Sequence, residues 1–134
     1  MVDTSAVLCR YLPAARRRFV GEAMDVHDRW IVSAMARTEV QLALHQAAGS
    51  SEGHRRLLDQ LSSDWNLFWE VPLDRRCMAR ATEIGARYGL TAINAIHLAA
   101  ADRLPGTVKY LTLDRRQIPA AADLGFQVVS PTDS

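Results

Sequence analysis

Four side chains stand out because each carries a short oxygen-bearing group and each falls just after a strand-like segment or at a helix start: Asp3, Glu39, Asn94 and Asp114. Clustered carboxylates repel one another, so gathering them is costly unless a cation neutralises them. Hard oxygen ligands suit Mg2+ or Mn2+. An ion held that way can bind a scissile phosphate, activate a water and steady the leaving oxygen. That is phosphodiester hydrolysis, and it needs no covalent nucleophile. The same residues also have a structural reading. Asp is a preferred helix N-cap, and Asp3 and Asp114 both stand where a strand hands over to a helix. Thr91-Ala92-Ile93-Asn94 resembles a capping box with Asn in place of Glu or Gln. Glu39 reads equally well as a surface acid. Both readings are open at the level of spacing.

The elements that must position these groups alternate along the chain. Met1–Thr4 starts a short strand, and Ser5–Leu12 reads as a helix ending at Pro13. Ala14–Ala23 reads as a helix carrying Arg16-Arg17-Arg18, and Trp30–Ser33 as a strand. Ala34–Ala48 has helical apolar spacing and stops at Gly49; Gly53–Ser63 places Leu57, Leu58 and Leu61 on one face. Leu67–Val71 is strand-like and closes at Pro72. Two helices follow, Leu73–Tyr88 before Gly89 and Thr91–Leu104 before Pro105-Gly106. A strand Lys109–Leu113, a helix Arg115–Leu124 and a strand Phe126–Val129 complete the pattern. Strands alternating with helices predict a three-layer α/β/α fold with a mostly parallel central sheet. In such sheets ligands bind beyond the carboxyl ends of the strands, which is where the four oxygen-bearing residues fall.

Composition narrows the classes. A chain of 134 residues reads as one domain, spanning 1–134, that can bury about two-thirds of its extended surface. Hydrophobic residues make up 49%, which argues against disorder. No apolar stretch approaches the roughly 20 residues of a bilayer span, and the start lacks the pattern of a signal peptide, so a cytoplasmic protein with no membrane partner is expected. Cys9 and Cys77 have no metal-type spacing and read as reduced thiols. Net charge is only +1, so bulk attraction to nucleic acid is small. Of the 16 basic residues only Lys109 is a lysine. Arginine forks suit phosphate oxygens, and a GC-rich coding genome produces the same bias.

Four segments together resemble the PIN domain family, in particular the VapC toxins of bacterial toxin–antitoxin pairs. They are Val2-Asp3-Thr4-Ser5-Ala6, the run Ser33–Glu39, the helix Leu90–Ala99 with its Asn94-Ala95-Ile96-His97-Leu98-Ala99, and Tyr110-Leu111-Thr112-Leu113-Asp114-Arg115-Arg116. The resemblance runs nearly end to end and in order. It implies a Mg2+- or Mn2+-dependent endoribonuclease acting on structured RNA such as tRNA or rRNA. Asp3, Glu39 and Asp114 would be its metal-holding acids, with Thr4 and Thr112 as flanking hydroxyls that support them. It also implies a homodimer, with Tyr11, Leu12 and Phe19 at an interface, and a VapB-type antitoxin lying across the active-site groove. Arg115 and Arg116, beside Asp114, are the foremost candidates for gripping phosphate.

One position departs from the family pattern: Asn94 stands where the family has Asp. Asn keeps the shape and one carbonyl oxygen but loses the charge. Asp102 cannot substitute, because eight residues of helix put it roughly 12 Å away. An engineered substitution that lets a toxic nuclease be expressed and a natural variant of reduced activity both explain it. The resemblance therefore implies a disabled or weakened enzyme. The alternatives are a catalytically silent RNA- or antitoxin-binding module and a DNA-directed nuclease of similar fold. His97, three residues on, shares the helix face of Asn94 and reads either as a neighbour of the metal or as a locally bonded side chain. His27, His45 and His54 read as surface residues.

Overall fold

A computed structural model describes residues 1–27, 29–47 and 51–131. Along the chain run α1 (Thr4–Leu8), α2 (Arg17–Asp25), β1 (Trp30–Ser33), α3 (Ala36–Ala47), α4 (Ser51–Trp65), β2 (Phe68–Val71), α5 (Arg75–Tyr88), α6 (Ala92–Asp102), β3 (Lys109–Leu111), α7 (Ile118–Asp123) and β4 (Gln127–Val129).

Two parallel pairs form the sheet. β1 and β2 pair from Trp30↔Phe68 to Ser33↔Val71, and β3 and β4 from Lys109↔Gln127 to Leu111↔Val129. The N-terminal segment joins them. Val2 N–H donates to the Ile31 carbonyl at 2.8 Å, Leu111 N–H to Met1 at 2.9 Å and Asp3 N–H to Leu111 at 3.1 Å. The order is thus β2–β1–(Met1–Asp3)–β3–β4, with parallel pairing in β1–β2, β3–β4 and the Val2↔Leu111 bridge, and a single hydrogen bond from Val2 to Ile31 joining the two halves. The expected first strand is a single bridge, Val2↔Leu111, because Thr4 already begins a helix.

Successive side chains of a strand point to opposite faces, and the core divides accordingly. Val32, Leu111 and Val129 pack with Val7, Val20, Met24, Val40, Leu44 and Leu61 of α1–α4. Ile31, Tyr110 and Val128 pack with Cys77, Ile84, Leu98 and Ala121 of α5–α7. This is the three-layer α/β/α arrangement anticipated from the alternating pattern. Cys9 and Cys77 are buried free thiols.

Several boundaries differ from the sequence reading. α1 ends at Leu8 rather than Leu12, and α2 begins at Arg17 rather than Ala14. β3 ends at Leu111, so Leu113 and Asp114 have left the sheet. The last helix starts at Ile118 with Pro119 in its first turn, not at Arg115, because Asp114 organises a turn first. Ala48 and Gly49, read as a helix end, lie outside the described residues. Gly89 does end α5, in the left-handed conformation at φ 65°.

α6 is apolar on nearly every side, with Ala95 through Ala101 all buried, as a helix enclosed by its neighbours must be. Its alanines let α5 approach closely: a Cβ at Gly85 would stand 3.3 Å from the Ala95 Cβ. Gly85→Val is expected to force the two helices apart at a cost of about 1–3 kcal/mol, read as a lower urea midpoint with unchanged slope. An unchanged midpoint would mean that this contact is slack.

Candidate functional site

Asp3 lies at the carboxyl end of the central segment and caps α1, its Oδ1 accepting from Ala6 N–H at 3.1 Å. Ser5 Oγ donates to the same oxygen at 2.7 Å. Oδ2 accepts from Thr112 Oγ at 2.7 Å and from Gln117 Nε2 at 3.0 Å. Four donors thus surround a carboxylate that is 1% exposed. Burial pushes its pKa above the ordinary value, and the hydroxyls of Ser5 and Thr112 oppose the shift.

Glu39 occupies the first turn of α3. Its Oε1 accepts from Thr4 Oγ at 2.7 Å and from His97 Nε2 at 2.6 Å. A carboxylate only accepts, so His97 carries a proton on Nε2; Nδ1 lies 2.9 Å from Ser33 Oγ. Burial pulls the Glu39 carboxyl up, but the bonds from His97 and Thr4 outweigh it and leave the pKa below the usual range. His97, 1% exposed, is thus a locally bonded side chain that also faces the cavity.

Asn94 enters from the first turn of α6, where Thr91 Oγ caps its N–H at 3.3 Å. The amide of Asn94 does not close the capping box. Its Nδ2 donates to Asp114 Oδ2 at 2.9 Å and its Oδ1 accepts from Gln117 Nε2 at 2.9 Å. The reverse orientation would set oxygen against oxygen at Asp114, so the carboxylate dictates this one.

Asp114 stands on the turn between β3 and α7. Its N–H donates to Thr112 Oγ at 3.0 Å, so one threonine holds both aspartates. Its oxygens accept from Arg116 N–H and Nε at 3.0 and 3.2 Å, from an Arg116 terminal nitrogen at 3.3 Å, and from Asn94. Burial raises the Asp114 pKa, but Arg116 and Asn94 together bring it below the ordinary value. Asp114 is therefore a turn-stabilising acid and not the cap of α7, which belongs to Gln117.

Asp3, Glu39, Asn94, His97, Asp114 and Gln117 all line one cavity of about 230 Å³ at the carboxyl edge of the sheet. Arg115 and Arg116 are exposed and follow Asp114 in the chain, with Arg116 engaged by Asp114; neither lines the cavity. A larger cavity of about 520 Å³ is lined by Met1, Met24, Trp30, Trp69, Leu104 and Lys109 among others. It has no carboxylate among its lining residues and none of the four singled-out side chains, so size does not locate the chemistry here.

The sequence reading missed Gln117, Ser5 and Ser33. Ser5 and Ser33 lie within two of the motif segments, whereas Gln117 left only the trace of a polar residue three places after Asp114 and just before an apolar helix. Tyr11, expected at an interface, is buried within the chain and donates to Asp64 at 2.9 Å; Leu12 and Phe19 pack against the same core. His27 and His45 are exposed, as expected, whereas His54 is half-buried, its ring meeting that of His45 edge to face at 4.1 Å.

The carboxylates suit a hard divalent ion in kind. In spacing they fall short: among the described residues no three His, Cys, Asp or Glu stand close enough to share an ion. Asn94 accounts for part of this, since it turns an N–H donor toward Asp114 where a carboxylate would turn an oxygen.

In parallel three-layer α/β proteins ligands bind at the carboxyl edge of the sheet, and this acid-lined cavity lies there. The PIN domain model matches residues 1–123, and the chain belongs to the PIN domain family. Members of that family are in general metal-dependent nucleases. No curated protein matches the chain. Among the described residues no helix is long and apolar enough to cross a membrane.

Proposed function

We propose that the chain is a single-domain VapC-type toxin: an endoribonuclease for structured cellular RNA, weakened or silenced by Asn94 and neutralised by a VapB-type antitoxin. It acts in the cytoplasm as a homodimer. The observation that carries this reading is the convergence of Asp3, Glu39, Asn94 and Asp114, from four distant stretches, on one cavity.

Mg2+ or Mn2+ is the ion that suits Asp3, Glu39 and Asp114 in kind, and these side chains would have to draw closer than their present spacing to share it. Such an ion, when bound, supplies positive charge to the phosphate and a more acidic water. The chain's own groups prepare the site. Thr112 fixes Asp3 and the backbone of Asp114, while Thr4 and His97 fix Glu39. The exposed guanidinium of Arg116 and its neighbour Arg115 support a role in holding phosphate oxygens.

A second reading is favoured by the hydrogen bonds themselves. Every carboxylate oxygen of Asp3 and Asp114 already accepts from the protein, so these acids serve as structural acceptors without an ion, as in a silent RNA- or antitoxin-binding module. Incubating total cellular RNA with this chain and with Asn94→Asp, in Mg2+ or Mn2+, separates the two. Asn94→Asp is expected to cut about 100-fold faster or more, the scale of one preorganised electrostatic group, and chelator should stop it. If neither folded protein cuts RNA, the binding module takes the lead. Cleavage of DNA in preference to RNA would overturn the substrate class.

A further inference from the structure

We infer that Gln117 is a positioning residue of this site: its side-chain amide bridges Asp3 and residue 94 and sets their relative placement. The inference rests on the site assigned under the proposed function, and it adds a residue that none of the four motif segments marks as functional.

Gln117 is 1% exposed, and its side chain makes three bonds. Nε2 donates to Asp3 Oδ2 at 3.0 Å and to Asn94 Oδ1 at 2.9 Å, and Oε1 accepts from the Tyr110 hydroxyl at 2.6 Å. The Asp3 carboxylate can only accept, so the amide nitrogen must face it. A directed chain of donors results. Tyr110 donates to Gln117, Gln117 to Asp3 and Asn94, and Asn94 to Asp114. Each carboxylate end dictates the orientation of the amide before it, and bonds aligned in one direction polarise one another. Tyr110, fully buried on β3, anchors the chain to the sheet. With Asp at position 94 the same NH2 group would have a hydrogen for each of two carboxylates. The bridge therefore serves the complete acid set as well as the present one.

Two measurements test this. The first is Mn2+ affinity, read by electron paramagnetic resonance, for Asn94→Asp with and without Gln117→Met. Loss of an outer group that orients a ligand is expected to weaken affinity about 10-fold or more in the folded protein, read well below the lowered melting temperature that loss of three buried hydrogen bonds also brings. Tyr110→Phe in the same background should weaken it in the same direction by less, and it serves if Gln117→Met does not fold. Equal affinity in all three would overturn the positioning role while leaving the nuclease reading intact. The second is the Gln117 side-chain amide signal in the chain as it stands. Slow exchange with solvent, and a shift of both protons on Asn94→Ala, are expected. If Asn94→Asp binds no Mn2+, the nuclease reading fails and this signal alone decides: fast exchange would overturn the bridge, slow exchange would keep it.

Discussion

In chelator, Asn94→Asp is expected to lower stability by about 1–3 kcal/mol, the cost of breaking a buried hydrogen bond and leaving its partners unmatched. The Asn94 Nδ2 donor lies 2.9 Å from Asp114 Oδ2. A carboxylate in its place puts like charges in contact, so one of the pair must take a proton or move away. The pH dependence follows in sign. In the present chain the depressed Asp114 carboxyl contributes stability above the ordinary value of 3.8, and that contribution is lost as pH falls through its lower folded pKa. In Asn94→Asp the shared carboxyl is raised instead. Its contribution is present at low pH and lost as pH rises, so the deficit should widen from about pH 5 to pH 8. Mn2+ should close it, since a ligand at 100 times its Kd adds about 2.7 kcal/mol. Urea titrations of both chains at two pH values, with chelator and with Mn2+, check this. Coincident midpoints in chelator at pH 8 would show that residue 94 and Asp114 do not meet.

Asp3→Ala should cost more, about 3–5 kcal/mol, the range for removing one partner of a buried charged network. The change takes away the cap of α1 and leaves Ser5 Oγ, Thr112 Oγ and Gln117 Nε2 without their acceptor. The cap alone accounts for about 1 kcal/mol. Asp3→Asn should fall between, because one oxygen remains while the new NH2 faces existing donors. Denaturant unfolding of the three chains tests the order. A loss below about 1 kcal/mol for Asp3→Ala would mean that the network adds nothing beyond the cap. Its consequence for function is practical: a drop in activity on Asp3→Ala reports stability as well as chemistry, and Glu39→Gln, at a side chain 20% exposed, is the cleaner probe.

The two sequence readings of Asp3 turn out to be compatible. It caps α1 through Oδ1 and faces the cavity, so capping does not remove it from the candidate site. Asp114 divides differently: it bonds a turn, and the helix begins four residues later.

The amino-acid sequence by itself determined the alternation of strands and helices, the two-faced strands and the placement of Asp3, Glu39, Asn94 and Asp114 near strand ends or helix starts. These rest on local periodicity and on capping chemistry, which a chain carries within a few residues. Tertiary structure decided the rest. Met1–Asp3 is extended sheet only because Ile31 and Leu111 flank it, Tyr11 is inside because Asp64 waits for its hydroxyl, and Gln117 joins the site only across 114 residues from Asp3. The bond from Asn94 to Asp114 spans 20 residues and two elements. Hydrogen bonds between distant residues leave no periodic trace along the chain, and their partners are chosen only when the sheet brings the strand ends together.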